Sequence, residues 1–249
     1  MFKKIIKIIS VLLVIAALIF AYQFGKQKMG ELKYSLLKIE IPEGTPRYID
    51  EQGIQRIVEA YVPNLKSLSV DSLNLDSLET YMERVTAIKK AEVFRKTSGE
   101  HLNFTTQLVV RVFQREPIVR VISGNDNYYM DADGVRIDAH YSFAAKVTLV
   151  TGAAKEEYVR KDMLPMILFI QNNEFWKAQI KDIKVDSDGE LSMTPLLGSQ
   201  VILFGSPKRY QEKFRNLQAL YEQGFSKLGW DRYKTIDLKY KGQVVCTNK

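Results

Sequence analysis

The sequence predicts an α+β chain with a single N-terminal transmembrane helix, a small β-α-α-β-β layer, and then a mainly antiparallel β domain with a few helices. Three observations carry this reading. An apolar run opens the chain behind a cluster of lysines, and two amphipathic helical stretches separate one strand-like run from two more. Beyond Glu116-Pro117, short β-patterned runs alternate with turn residues.

The opening stretch MFKKIIKIISVLLVIAALIFAYQFGKQK places Lys3, Lys4 and Lys7 before an apolar run from Ile8 to Phe24, interrupted only by Ser10 and Gln23. At 1.5 Å per residue the run spans roughly 26 Å, a little short of a hydrocarbon core of about 30 Å. Ile5, Ile6 and a snorkelling Lys7 complete it. Tyr22 and Phe24 fall where an aromatic belt sits, and the leading lysines favour a cytoplasmic N-terminus, although Lys26, Lys28 and Lys33 weaken that asymmetry. The run is long for a signal peptide and no small-x-small pair marks a cleavage point, so an uncleaved anchor is expected. Residues 1–7 are then a cytoplasmic tail and residues 8–24 the span.

A strand is expected at SLLKIEI, followed by Pro42 and a Gly-Thr-Pro turn. In IDEQGIQRIVEAYV, Asp50 is the expected N-cap and Ile54, Ile57, Val58 and Tyr61 form one apolar stripe. A second helix, LDSLETYMERV, carries Leu75, Leu78, Met82 and Val85 at helical spacing, with Asp76 and Glu79 towards its N-terminal end. Two strands, IKKAEVFRKT and HLNFTTQLVVRVFQRE, are expected to join across Ser98-Gly99-Glu100. In the second, Leu102, Phe104, Thr106, Leu108, Val110 and Val112 share one face. The domain joint is expected at Arg115 to Pro117, where proline removes a backbone donor and restricts its predecessor.

Strands are then expected around Ile118–Ser123, Tyr128–Met130, Gly134–Asp138, Lys146–Val150, Ile180–Asp186, Glu190–Pro195 and Gln200–Phe204. Two helices interrupt them. EEYVRKDMLPMILFIQN is expected to kink at Pro165. SPKRYQEKFRNLQALYEQG is read with Ser206 as N-cap, Pro207 at its first position, a stripe of Tyr210, Phe214, Leu217 and Tyr221, and Gly224 as its stop.

The 36 basic against 29 acidic side chains give a formal +7 spread along the chain, without the clustered basic face, RNP aromatics or zinc-finger spacing of a nucleic-acid binder. The single Cys246 and the histidines His101 and His140 leave little material for a disulfide, a metal cluster or a nucleophilic site. Both histidines adjoin turn-like sequence and are expected at the surface, while Trp176 and Trp230 are expected to fill core or sheet edges. Glycine patterns for phosphate and the G-x-S-x-G elbow are absent. Asp131 and Asp133 in NYYMDADGVRIDA lack the ligand spacing of a calcium loop, and KVDSDGELSM repeats the D-x-D-G pattern with Asp186, Asp188 and Gly189. Both stretches are read as type I′ hairpin tips with solvated carboxylates.

At the end of the chain, YKTIDLKYKGQVVCTNK reads as one continuous strand. Ile236, Leu238, Tyr240, Val244 and Cys246 lie on one face, with Asp237, Lys239, Lys241 and Gln243 opposite. Val245 breaks that alternation. An apolar residue on the polar face of a proline-free strand suggests either a second covering layer or an unfinished sheet edge; a last strand already paired on both sides is the alternative.

The motifs VFQREPIVRV at the joint, YYMDADGVRI just after it and IDLKYKGQVV at the end carry a family likeness, supported by the hairpin LGSQVILFG and its following helix. In these places the chain resembles the FtsQ/DivIB family of bacterial cell-division proteins, particularly its Bacteroidetes-type branch. The family pattern there is a charged pair with proline, an aromatic followed by D-x-x-G, and D-L-R-Y followed by glycine. Here Lys239 stands where arginine is usual, and fewer residues separate Tyr240 from Gly242.

The resemblance implies a POTRA domain over residues 35–115 and an FtsQ-type β domain over 116–249, both periplasmic and anchored in the cell inner membrane at the division septum. It implies no enzymatic activity and no cofactor, but a divisome scaffold that binds FtsB and FtsL during septum formation. The FtsB contact would be a strand added to the last β-strand at Lys239, Tyr240, Gly242, Val244 and Val245, with Lys241 and Gln243 nearby. The alternative is a POTRA-containing envelope chaperone or translocation accessory using the first domain's sheet edge. A third is an envelope hydrolase built on Asp131 and Asp133.

Overall fold

The computed structural model describes residues 2–45, 47–100, 103–139, 145–225, 229 and 232–249. The chain divides into two compact units, Met1–Gln114 and Arg115–Lys249, and combines helices with strands as expected.

The first unit opens with α1 (Phe2–Glu31), whose stretch Ile9–Lys26 has a mean hydropathy of 1.9 and no side chain buried within the protein. Length and composition suit a membrane crossing. Strands β1 (Tyr34–Glu40), β2 (Ile88–Glu100) and β3 (Asn103–Gln114) form a sheet in the order β1-β3-β2, with β1 parallel and β2 antiparallel to β3. Between β1 and β2 lie α2 (Glu51–Tyr61) and α3 (Leu75–Glu83), started by the expected Asp50, which accepts from Gly53 N–H at 2.7 Å, and by Asn74. Ile54, Val58, Leu78 and Met82 from the helices and Leu108, Val110 and Val112 from β3 are buried, as their periodicities predicted.

Two carboxylates of α3 cover part of edge strand β2. Glu79 accepts from Val93 N–H at 2.6 Å and Glu83 from Ala91 N–H at 3.1 Å. Buried Gln114 accepts from the Tyr48 and Ile49 N–H groups and donates to the Ile49 carbonyl. The expected turn at Ser98-Gly99-Glu100 is corrected. These residues continue the ladder opposite Thr105, Phe104 and Asn103, because Thr97, Thr105 and Thr106 favour extended backbone and Gly99 is exposed. His101 and Leu102 lie outside the described residues, as do His140 and Trp230.

The second unit is a nine-stranded sheet built from β4 (Pro117–Ser123), β5 (Asp126–Asp131), β6 (Arg136–Asp138), β7 (Thr148–Gly152), β8 (Ile180–Val185), β9 (Leu191–Pro195), β10 (Val201–Gly205), β11 (Tyr233–Asp237) and β12 (Val245–Asn248). Its spatial order is β12-β11-β10-β9-β8-β7-β4-β5-β6. Five neighbouring pairs are antiparallel; β10–β11, β7–β8 and β4–β7 are parallel. Parallel neighbours need crossovers; helices supply those from β7 to β8 and from β10 to β11, while β4 reaches β7 by way of β5 and β6. The short α4 (Glu156–Tyr158) continues through a π-helical turn, Val159–Met163, into α5 (Leu164–Gln171). Pro165 lacks an N–H and crowds the carbonyl four residues back, so the chain widens here, with Leu164 N–H reaching Val159 C=O. Next come α6 (Glu174–Gln179) and α7 (Tyr210–Ala219). Trp176 lies in the core, 4.8 Å from Phe214 and 5.9 Å from Tyr221 between ring centroids.

Helix α7 starts at Tyr210, not at Pro207. The Ser206 hydroxyl accepts from Lys208 N–H, and Arg209 holds a left-handed conformation with φ +57°. The reason is buried Lys213, whose ammonium donates to the Phe204 and Ser206 carbonyls at 2.6 and 2.7 Å and so draws that segment across the helix start. Nor does Gly224 end the helix. A π-helical turn, Leu220–Phe225, runs through it and delivers both Tyr221 and Phe225 to the core.

Candidate functional site

The two D-x-D-G stretches share one backbone design. Asp131 Oδ1 accepts from Asp133 and Val135 N–H at 3.0 and 2.8 Å, and Asp186 Oδ1 accepts from Asp188 and Glu190 N–H at 3.0 and 2.8 Å. Gly134 and Gly189 supply the positive φ, +76° and +81°, while the aspartates before them do not. Both are therefore turns closed by a left-handed glycine bulge, which corrects the type I′ expectation.

Their surroundings differ. Asp186 is exposed, but Asp131 is 3% exposed and its Oδ2 accepts from Arg115 Nη1 at 2.9 Å. The expected solvated carboxylate at 131 is wrong because the arginine that precedes β4 folds back onto it. With both oxygens engaged, Asp131 is a structural anchor for the start of the unit.

The continuous terminal strand is also corrected. After Asp237 the chain leaves the sheet through a loop, Leu238 to Val244, and returns as β12, antiparallel to β11, with Ile236 opposite Cys246 and Asp237 opposite Val245. Gly242 takes φ +68° in this loop, a conformation that suits glycine and turns the chain. The apparent alternation was two patterns joined. Leu238 is buried, whereas Tyr240 is 57% exposed. Of the residues expected at a partner surface, Lys239, Tyr240, Lys241, Gly242, Gln243 and Val244 lie in the loop and Val245 alone begins β12.

Register explains the rule that Val245 broke. Paired with Asp237, it stands on the sheet face opposite Ile236 and Cys246, and 45% of it is exposed. Strand β12 pairs with β11 on one side and ends the sheet order on the other.

The loop is held from several sides. Leu238 N–H donates to Leu203 C=O at 2.9 Å, Lys239 N–H to Asp237 Oδ1 at 2.9 Å, and Lys239 Nζ to Glu190 Oε2 at 3.2 Å. From α7, Arg209 Nη2 reaches Lys239 C=O at 3.4 Å and Glu212 Oε1 accepts from Gly242 N–H at 3.1 Å. The Glu190 carboxylate raises the Lys239 pKa. None of Arg209, Glu212 or Glu190 was expected here, since no sequence spacing links them to the terminal segment.

Beneath this corner, burial and the neighbouring Arg209 charge pull Lys213 down to about 8 from its ordinary 10.5. Between those values the unfolded chain binds a proton that the folded chain has released, so this group's contribution to stability rises with pH across that window. In urea melts at pH 8 to 10.5, the stability of the parent protein relative to Lys213→Met should rise with pH. A constant gap would count against the lowered value.

The family model described as FtsQ/DivIB, C-terminal related matches residues 116–247, just over half of the chain, and covers all of the large sheet but the last residue of β12. The chain belongs to the FtsQ/DivIB family. No curated protein matches it. Membership places the chain among non-enzymatic proteins of bacterial cell division, whose partners are other division proteins, and with α1 it points to a single-pass membrane protein.

Proposed function

We infer that this FtsQ/DivIB family member is a bitopic scaffold of the divisome that binds FtsB and FtsL, taking up a strand of FtsB on the open edge of β12. In this reading residues 8–24 span the inner membrane, residues 1–7 are cytoplasmic, the 35–115 region is a POTRA domain, and the 116–249 β domain acts in the periplasm at the septum. Its β-α-α-β-β order and α1 support that arrangement.

One observation carries the strand addition, a contrast between the two edges of the large sheet. Edge strand β6 is three residues long and bears Arg136 and Asp138, with Arg136 also within 3.2 Å of Glu156. That is how an edge is made unattractive to another strand. Strand β12 is Val-Cys-Thr-Asn, uncharged and without proline, with Val245 exposed. An added strand would gain main-chain hydrogen bonds there, while Val245 and the adjoining Tyr240 supply side-chain selectivity.

Val245→Glu or Tyr240→Glu should weaken FtsB binding by about 30-fold or more, the scale of a central interface residue, with an unchanged melting temperature. Co-purification and titration of the detergent-solubilised full chain measure this. Parental affinity in both variants would remove the site. Deleting residues 240–249 separates this reading from a client-binding POTRA accessory, which should keep its activity.

A further inference from the structure

The terminal hairpin is a poor candidate for unaided order. Strand β12 has four residues and one neighbour, and Val245, Thr247 and Asn248 are exposed while Cys246 is half-buried. So small an edge buries too little apolar surface to offset the roughly 1–2 kcal/mol of backbone entropy that each residue loses on ordering. A strand that must accept another strand gains most when its own extended conformation is already fixed.

The first turn of α7 supplies what β12 lacks. Glu212 is partly covered and uses its two carboxylate oxygens differently. Oε2 lies 3.5 Å from Arg209 Nη1, and Oε1 accepts from Gly242 N–H, the backbone donor at the loop's left-handed turn. Arg209 in turn reaches the Lys239 carbonyl on the other limb of the loop. Its left-handed backbone is the one positive φ at a non-glycine residue among those described, so the chain accepts an unfavourable conformation at this position. Beside it, a Cβ at Gly205 would meet Lys239 Cγ at 2.7 Å, so the end of β10 and the loop are in close approach.

We propose that Glu212 and Arg209 are positioning residues: a latch on α7 that grips the 239–242 loop at both limbs and holds β12 extended as a preformed acceptor edge. This rests on the strand-addition reading for its consequence in binding, but its structural claim stands apart from any partner. Loss of the latch frees β12 while leaving the rest of the sheet intact, and a partner strand must then order its acceptor as it binds.

Amide hydrogen exchange on the detergent-solubilised full chain tests this, using Glu212→Ala and Glu212→Gln. The amide oxygen of glutamine can still accept from Gly242 N–H, so the conservative variant should hold the loop. In Glu212→Ala, exchange of the 245–248 amides should accelerate about tenfold, that of the Val150 and Ile183 amides should not change, and FtsB affinity should fall about fivefold to tenfold. Glu212→Gln should stay within about twofold of the parent. Unchanged β12 exchange in Glu212→Ala, uniform acceleration across the sheet, or equal effects of both variants would each overturn the latch. Failure of strand addition looks different: Val245→Glu would then keep FtsB affinity while Glu212→Ala still freed β12.

Discussion

Asp131→Ala is expected to destabilise the Arg115–Lys249 unit by about 3–5 kcal/mol, the usual cost of removing one member of a buried ion pair. The side chain does three things at once. It accepts two backbone N–H groups of its own turn and neutralises Arg115, whose Nε is buried without an acceptor among the described residues. Asp186→Ala is the control, because it removes the same two turn bonds from an exposed aspartate with no arginine partner among the described residues. Its loss should be near 1 kcal/mol, as for a side-chain cap. Denaturant titration of the detergent-solubilised chain, followed by near-UV circular dichroism, compares the two. Equal losses would show that the Arg115 pairing adds nothing to the turn. Adding Arg115→Met to Asp131→Ala should recover part of the loss, since no unpaired cation then remains.

Gly152→Ala should cost about 3 kcal/mol or more, for a reason in the backbone alone. Gly152 ends β7 at φ +92°, and a Cβ there would lie 2.0 Å from the Val185 carbonyl oxygen. That oxygen accepts from Ala153 N–H at 2.9 Å, so the residue cannot move away without opening the parallel β7–β8 pairing. Strain of about 1–3 kcal/mol from the left-handed backbone adds to the clash. The melting temperature of Gly152→Ala measures the sum. A change of less than about 2 °C would mean that the two strands separate there at little cost.

Local chemistry was legible in the sequence wherever one element decided the outcome. The caps at Asp50 and the stripes of α2, α3 and α7 follow from spacing, and most strands of the large sheet lie within a few residues of their β-patterned runs. Departures came where a distant group intervened. Lys213 shifted the start of α7, and Arg115 turned an ordinary hairpin aspartate into a buried anchor. The terminal hairpin was hidden because Leu238 and Val244 preserved a two-residue period across a break in the chain; Gly242 was the available signal. The latch on α7 left no trace, since the contact from Glu212 to Gly242 spans 30 residues.

The parallel pairing of β10 with β11 also sets an order of assembly. A hairpin partner can zip up as soon as its turn forms, but β11 reaches β10 only after the chain has crossed over through α7 and the π-helical turn behind it. Strand β12 then depends on β11, its one neighbour in the sheet. The β12 edge is thus the last strand the unit can complete. Under the proposed strand addition a half-folded molecule would have no such edge to offer, so recruitment through β12 would double as a check on folding that admits only finished copies.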